Sequence, residues 1–354
     1  MSTALHPLVA RARHLAEEVL APRAEHVDQQ GVPTSHIEAI KESGLLGATA
    51  PVAYGGSAAP AAVVRETAEI LAGACCSTWF VQTQHHTPVK TLVDGELPVR
   101  ERLLRPLADG ELLSGVAYSH LRAFPRVPVR VTRESGGLRF DGRVAWYTGW
   151  GLNDVMLLAG VTDENEVLFA FTEARERPGL RPSPPMRLAA LTAARTVSLE
   201  LSGLWVPEEA VALRTSYEKW AAVDRPKTTN ASPAVFGLAH AALQILEESG
   251  DRDAKETGRA LRIRLDRVRR EAYALADHSV PHEYIEERLA YRTQAYHLMR
   301  AATTAAVVTG GGRSMALGNR AQRLAREGMF LLVQGQTAET RAAHLASLAV
   351  SASV

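Results

Sequence analysis

Cysteine is nearly missing from this chain: it occurs twice, as the adjacent Cys75 and Cys76. Neighbouring cysteines rarely pair with each other, and no metal-ligand spacing surrounds these two, so a metal site is not expected. They read as small buried hydrophobes of a reducing cytoplasm. Charge of one sign is missing too. Lys and Arg number 40, Asp and Glu 39, leaving a formal charge of +1. A nucleic-acid binder normally carries a basic face, and this balance speaks against one. No apolar run is long enough to span a membrane. The start, "MSTALHPLVARARHLAEEVL", lacks the continuous apolar core of a signal peptide and patterns as an amphipathic helix. A dinucleotide fingerprint is also missing, because Gly310–Gly312 follow a helical pattern and not a strand.

Three zones differ in periodicity. Up to about Leu113 the chain reads as helices, with Leu8, Ala12, Leu15 and Val19 at helical spacing. "TSHIEAIKESGLL" opens on a Thr/Ser cap and ends near Gly44. "APVAYGGSAAP" is a loop forced by its Pro and Gly residues, and "STWFVQTQHHTPVKTLV" reads as one helix. The second zone alternates like strands. "VPVRVTRESGGLRFDGRVAWYTG" is a hairpin across Gly136–Gly137, and "DVMLLAGVTDENEVLFAFTE" is a second strand pair. From about Asp224 the chain is helical again. Its basic run, Arg262 to Arg270, is interrupted by Asp266, while Leu261, Leu265 and Val268 keep helical spacing, so it reads as a solvated helix face. Helices, then strands, then helices is not the alternation of a doubly wound sheet.

Several segments occur in the order of one known family. They are "LLGATAPVAYGG", "LRPLADGELLSGVAYS", "LRFDGRVAWYTGWGLNDVMLLAG", "LSGLWVPEEAV", "VVTGGGRSMALGNRAQRLARE" and "VQGQTAETR". Each is weak alone; together, over nearly the whole chain, they resemble the acyl-CoA dehydrogenase superfamily. The resemblance implies an α+β, acyl-CoA dehydrogenase-like fold. It would have an N-terminal helical domain (1–113), a middle β-barrel or sandwich domain (114–223) and a C-terminal four-helix bundle (224–354). It also implies FAD, or reduced flavin supplied by a reductase, between these domains. By residue-to-residue correspondence, Trp146, Tyr147 and Thr148 of "WYT" would lie against the flavin ring, with the Thr148 hydroxyl near N5. Ser119 would offer a second hydroxyl, Gly311 and Gly312 a close backbone approach, and Thr337 and Glu339 further cofactor contacts. An isoalloxazine needs an apolar stacking surface and a few placed donors, which is what these residue types supply. The alternative readings are a core tryptophan beside a turn threonine and an ordinary helix end at the glycines.

The sequence departs from the family where the family does its chemistry. Gly335 stands where the proton-abstracting glutamate is expected, and glycine cannot act as a base. Asp224 is a reserve carboxylate near Lys227. "SHLRAFPRV" replaces the loop that borders the thioester, with His120 at its acidic position. The segment that holds the FAD pyrophosphate and adenosine is also missing. The expected protein is therefore a flavin-dependent oxidoreductase acting on a small molecule, with monooxygenase or oxidase chemistry favoured. Acyl-thioester dehydrogenation with a displaced base, and a flavin-free scaffold, are the alternatives. His120 and His85 are the candidate catalytic residues, because histidine titrates near neutrality. For the pair His85–His86 the other reading is a helix end before Pro88. A homodimer or homotetramer, and a flavin reductase or electron-transfer partner, follow from the same resemblance.

Overall fold

The computed structural model describes residues 3–278, 280 and 282–351. Helices α1 (Pro7–Leu15), α2 (Ala24–Gln30), α3 (Thr34–Glu42), α4 (Ala61–Ala74), α5 (Cys76–Thr83), α6 (His86–Val93) and α7 (Leu97–Ala108) come first. Strands follow: β1 (Ser114–Ala117), β2 (Val129–Glu134), β3 (Gly137–Tyr147), β4 (Val155–Val161), β5 (Glu166–Glu173), β6 (Leu180–Pro182), β7 (Val197–Pro207) and β8 (Val211–Ser216). The chain closes with α8 (Tyr217–Thr229), α9 (Pro233–Glu248), α10 (Arg252–His278), α11 (Ile285–Gly310), α12 (Arg320–Val333) and α13 (Ala338–Ser351). The stretch Cys76–Val93 is two helices and not one, because the chain turns at Gln84–His85.

The strands form one mixed sheet in the order β6-β7-β3-β2-β4-β5-β8, with β1 parallel to β4. A single residue pair, Arg130 with Val161, joins β2 to β4. The two halves share an inner core that includes Phe140, Val144, Leu158, Leu168 and Leu199. The other face of β4 and β5 packs Leu157, Ala159 and Phe169 against Val89, Leu92, Leu103 and Leu104 of α6 and α7. Burial on both faces is why these two strands are runs of apolar residues and do not alternate.

The first and last helices share another core around Leu8, Leu71, Phe236, Leu243, Tyr296 and Leu324. Close packing of α4 on α9 depends on glycine: a Cβ on Gly237 would lie 2.0 Å from the Glu69 carbonyl oxygen. Cys75 and Cys76 are buried and unpaired, and burial raises both thiol pKa values, which keeps them unreactive. Helix α10 buries Leu265 and Val268, while Arg262 pairs with Glu247 and Arg269 with Glu69, as expected of a helix face. None of the helices among the described residues is long and apolar enough to cross a membrane.

Candidate active site

Strand β3 decides which aromatic ring faces outward. Val144 pairs with Leu199 but Tyr147 pairs with Val197, so β3 carries one extra residue there, a β-bulge. A bulge breaks the two-residue alternation and re-aims side chains. Ala145 and Trp146 therefore both face out, and Trp146 is 51% exposed. Tyr147 turns inward and is fully buried. Its hydroxyl accepts a hydrogen bond from Asn153 Nδ2 at 3.0 Å, and the Trp150 ring meets it edge-on at 5.9 Å. Burial raises its phenol pKa in spite of Asn153; the group stays neutral. Tyr147, expected beside Trp146 and Thr148 on one ledge, has its ring in the β core. Trp150 is partly buried and packs on that core.

Thr148 ends the strand with its hydroxyl 3.2 Å from that of Thr196. The turn is pinned by Gly149 N–H donating to the Ala194 carbonyl and by Asn153 Nδ2 donating to the Thr148 carbonyl. Ser119 is exposed just after β1, on a 3-10 turn (Ser119–Ala123) that packs on β3. An open indole face, two adjoining hydroxyls and an exposed serine are a donor set that fits a flat, apolar ring with polar edges. Trp146, Thr148, Thr196 and Ser119 are the residues that could hold a flavin. Thr196 carries no signal in the sequence, because it is brought to Thr148 from a separate loop before β7.

The two candidate histidines differ. His85 is fully buried at the α5–α6 turn. Its Nε2 faces the Leu107 carbonyl at 3.1 Å, and Ser114 N–H donates to its Nδ1 at 3.0 Å. This pairing requires the neutral Nε2–H form. Burial, with His86 nearby, lowers its pKa to about 3. Both nitrogens are engaged in bracing the end of α7 and the start of β1. His85 thus has no ring nitrogen free for a substrate in this structure. His120 donates from Nε2 to the Ala159 carbonyl at 3.0 Å, while its Nδ1 is buried without a partner among the described residues. Burial lowers its pKa to about 4, so it is a neutral ring with one spare acceptor. His86 is also neutral, its pKa lowered to about 4 chiefly by burial, and its Nε2 lies 2.8 Å from Gln82 Nε2.

A second corner gathers residues that lie far apart in sequence. Arg122, on the 3-10 turn after β1, pairs with Asp224 of α8 through Nε (2.7 Å) and Nη2 (2.9 Å). Gly335 lies in the link between α12 and α13 at φ +63°, and a Cβ built on it would be 3.8 Å from Arg122 Nη1. The two positions considered for a base, Gly335 and Asp224, thus meet at one guanidinium. Burial works against the charged Arg122, but the Asp224 carboxylate outweighs it and raises its pKa.

The remaining cofactor candidates are placed elsewhere. Thr337 caps α13: Thr340 N–H donates to its hydroxyl (3.2 Å), and its own N–H donates to the Thr340 hydroxyl (2.8 Å). Glu339 pairs with Arg225 at 2.6 Å on the surface. Gly311 and Gly312 are exposed after α11, with no atom of the described residues within 4 Å of a Cβ at either.

Comparison with known proteins agrees with this architecture. Residues 4–111 match the family model described as the acyl-CoA dehydrogenase N-terminal domain. A curated relative, the probable acyl-CoA dehydrogenase YngJ of Bacillus subtilis, is 25% identical over 205 residues, or 55% of this chain. That match spans only 54% of the relative's own length. Among solved structures, a glutaryl-CoA dehydrogenase from Mycobacterium smegmatis in complex with FADH2 superposes with a TM-score of 0.79 at 17% identity, covering 96% of this chain and 93% of that one. A nitrososynthase from Micromonospora carbonacea var. africana gives 0.76 at 21% identity, covering 97% and 95%. The fold is acyl-CoA dehydrogenase-like from end to end.

Proposed function

We propose that this chain, which carries an acyl-CoA dehydrogenase N-terminal domain on the full fold of that superfamily, is a flavin-dependent oxidoreductase of a small molecule that does not use a glutamate base. The observation that carries the reading is the outward Trp146 beside the Thr148–Thr196 hydroxyl pair, combined with Gly335 at the base position. A bound flavin, FAD or a reduced flavin delivered by a reductase, supplies the redox chemistry. In this reading Trp146 stacks on the ring and excludes water from one face. The Thr148 and Ser119 hydroxyls orient its polar edge, and neutral His120 keeps an acceptor in the dry interior behind them. Oxygen-using chemistry is favoured over α,β-dehydrogenation, because the reserve carboxylate is not free. Asp224 has both oxygens on Arg122, so taking a proton would cost that ion pair. Similarity to the nitrososynthase fold is compatible with this choice. The exposed glycines Gly311 and Gly312 would meet the cofactor of a second subunit in a homodimer or homotetramer.

The test is direct. Purified protein is mixed with FAD and, separately, with anaerobically reduced flavin, and uptake is read by absorbance after gel filtration. The bound flavin is then exposed to a panel of acyl-CoA thioesters without oxygen. Uptake of flavin with no bleaching by any thioester is the expected result. Bleaching would favour thioester dehydrogenation, and no uptake of either flavin would leave a scaffold role.

A further inference from the structure

Arginine carries five N–H donors in a planar fork. Asp224 takes two of them, on Nε and on one side of Nη2. This side-on grip fixes the plane of the guanidinium and leaves its end-on edge, Nη1 with the second Nη2 proton, available. That edge faces the space that a side chain at residue 335 would occupy, and Gly335 leaves it empty. The Arg122 side chain is 25% exposed, so solvent reaches it.

The corner also has surplus positive charge. The charged groups that act on Lys227 are Asp224, Lys90 and Arg122; with Lys227 itself that makes three cations and one carboxylate. Lys227 and Lys90 are exposed. Partial desolvation lowers the Lys227 ammonium pKa, Asp224 opposes the drop, and Lys90 and Arg122 add to it. The facing groups from the packed elements are Lys90 of α6, Tyr118 and Arg122 of the β1 turn, and Asp224 and Lys227 of α8.

We propose that Arg122 is the recognition residue for a substrate carboxylate, which docks end-on against Nη1 and Nη2 in the space left by Gly335, with Lys227 supporting its charge. A planar carboxylate matches the two parallel N–H vectors of that edge, and such charge-assisted pairs are directional. The polarity of the corner is thus the reverse of a base site: it holds an anion and does not remove a proton. The inference rests on the flavin reading only in calling the bound molecule a substrate.

The experiment compares acetate, butyrate, hexanoate and benzoate, each beside its amide, by calorimetric titration of the full chain with and without flavin. Flavin uptake is measured separately. At least one acid should bind about ten-fold tighter than its amide. Arg122→Met alone would strand Asp224, so the paired variant Arg122→Met/Asp224→Asn is used. It should lose the preference while melting cooperatively, and Lys227→Met should weaken acid binding several-fold. Equal affinity for acid and amide, binding of neither, or a preference that survives the paired variant overturns the proposal. Acid preference without flavin uptake would overturn the flavin reading and leave this one standing; flavin uptake without acid preference would do the opposite.

Discussion

Two arginines join distant segments through carboxylates under opposite conditions of access. Arg323 of α12 lies between Glu327 of its own helix and Glu25 of α2, at 2.9 and 3.0 Å. It is 2% exposed and Glu327 is 1% exposed. Arg122 is 25% exposed, with Asp224 at 7%, and one edge of its guanidinium is open. The chemistry of the pairs is the same, but Arg323 and Glu327 are sealed from solvent, with only Glu25 partly exposed, whereas the Arg122 guanidinium is sealed on one side. A sealed pair fixes the register of two helices. A half-sealed pair fixes the orientation of a cation and leaves that cation something to do.

The largest effect should come from breaking the sealed pair. Arg323→Met leaves two carboxylates without their partner, one fully buried, and should cost about 3–5 kcal/mol in chemical denaturation. Asp224→Asn should cost less, about 1–3 kcal/mol, because water can reach the guanidinium that it leaves. Equal losses would erase the distinction between the two pairs.

Acid comes next, and it acts on neither arginine. His85 and His120 have folded-state pKa values lowered to about 3 and about 4 from 6.5. The unfolded chain therefore binds more protons below pH 6.5. Their contribution is complete above that pH and is lost as pH falls toward the folded values. Each should remove roughly 1.4 kcal/mol per pH unit in this window. Urea midpoints at pH 7 and pH 5 measure the sum, to which His86 and His344, also lowered to about 4, add in the same direction, and His85→Gln should flatten the slope. An unchanged slope would mean that the ring is not held neutral.

The smallest effects on folding separate the two rings of β3. Trp146→Ala should weaken flavin binding about ten-fold, with little change in melting temperature, since stacking contributes about 1–1.5 kcal/mol. Tyr147→Phe should leave flavin uptake unchanged and cost about 1 kcal/mol of stability through Asn153. The reverse pattern would place the ledge on the wrong residue.

The order of the elements was legible because it depends on local periodicity. Leu8, Ala12 and Leu15 mark a helix face, and the hairpin at Gly136 follows from its turn residues. Two helices were read as one at His85, because the turn there is set by contacts with Leu107 and Ser114 and not by a breaker residue. Gly335 and Asp224 were visible as separate candidates. Arg122, which unites them, was not, since a pairing across 102 residues leaves no mark in a single sequence. Thr196 stayed silent for the same reason. The inward turn of Tyr147 was illegible because an extra residue in a strand looks like any other residue.

That extra residue acts as a change of phase. Counted in twos from Leu138, the inward positions are Phe140, Gly142 and Val144, and the count would next put Trp146 inside and Tyr147 outside. The bulge reverses the last two. Which ring solvent meets is therefore a property of the backbone at Ala145 and not of the rings. Exchanging the two residues would leave an aromatic surface on the ledge and would instead test the pocket below, where an indole would have to take the place of a phenol that answers to Asn153.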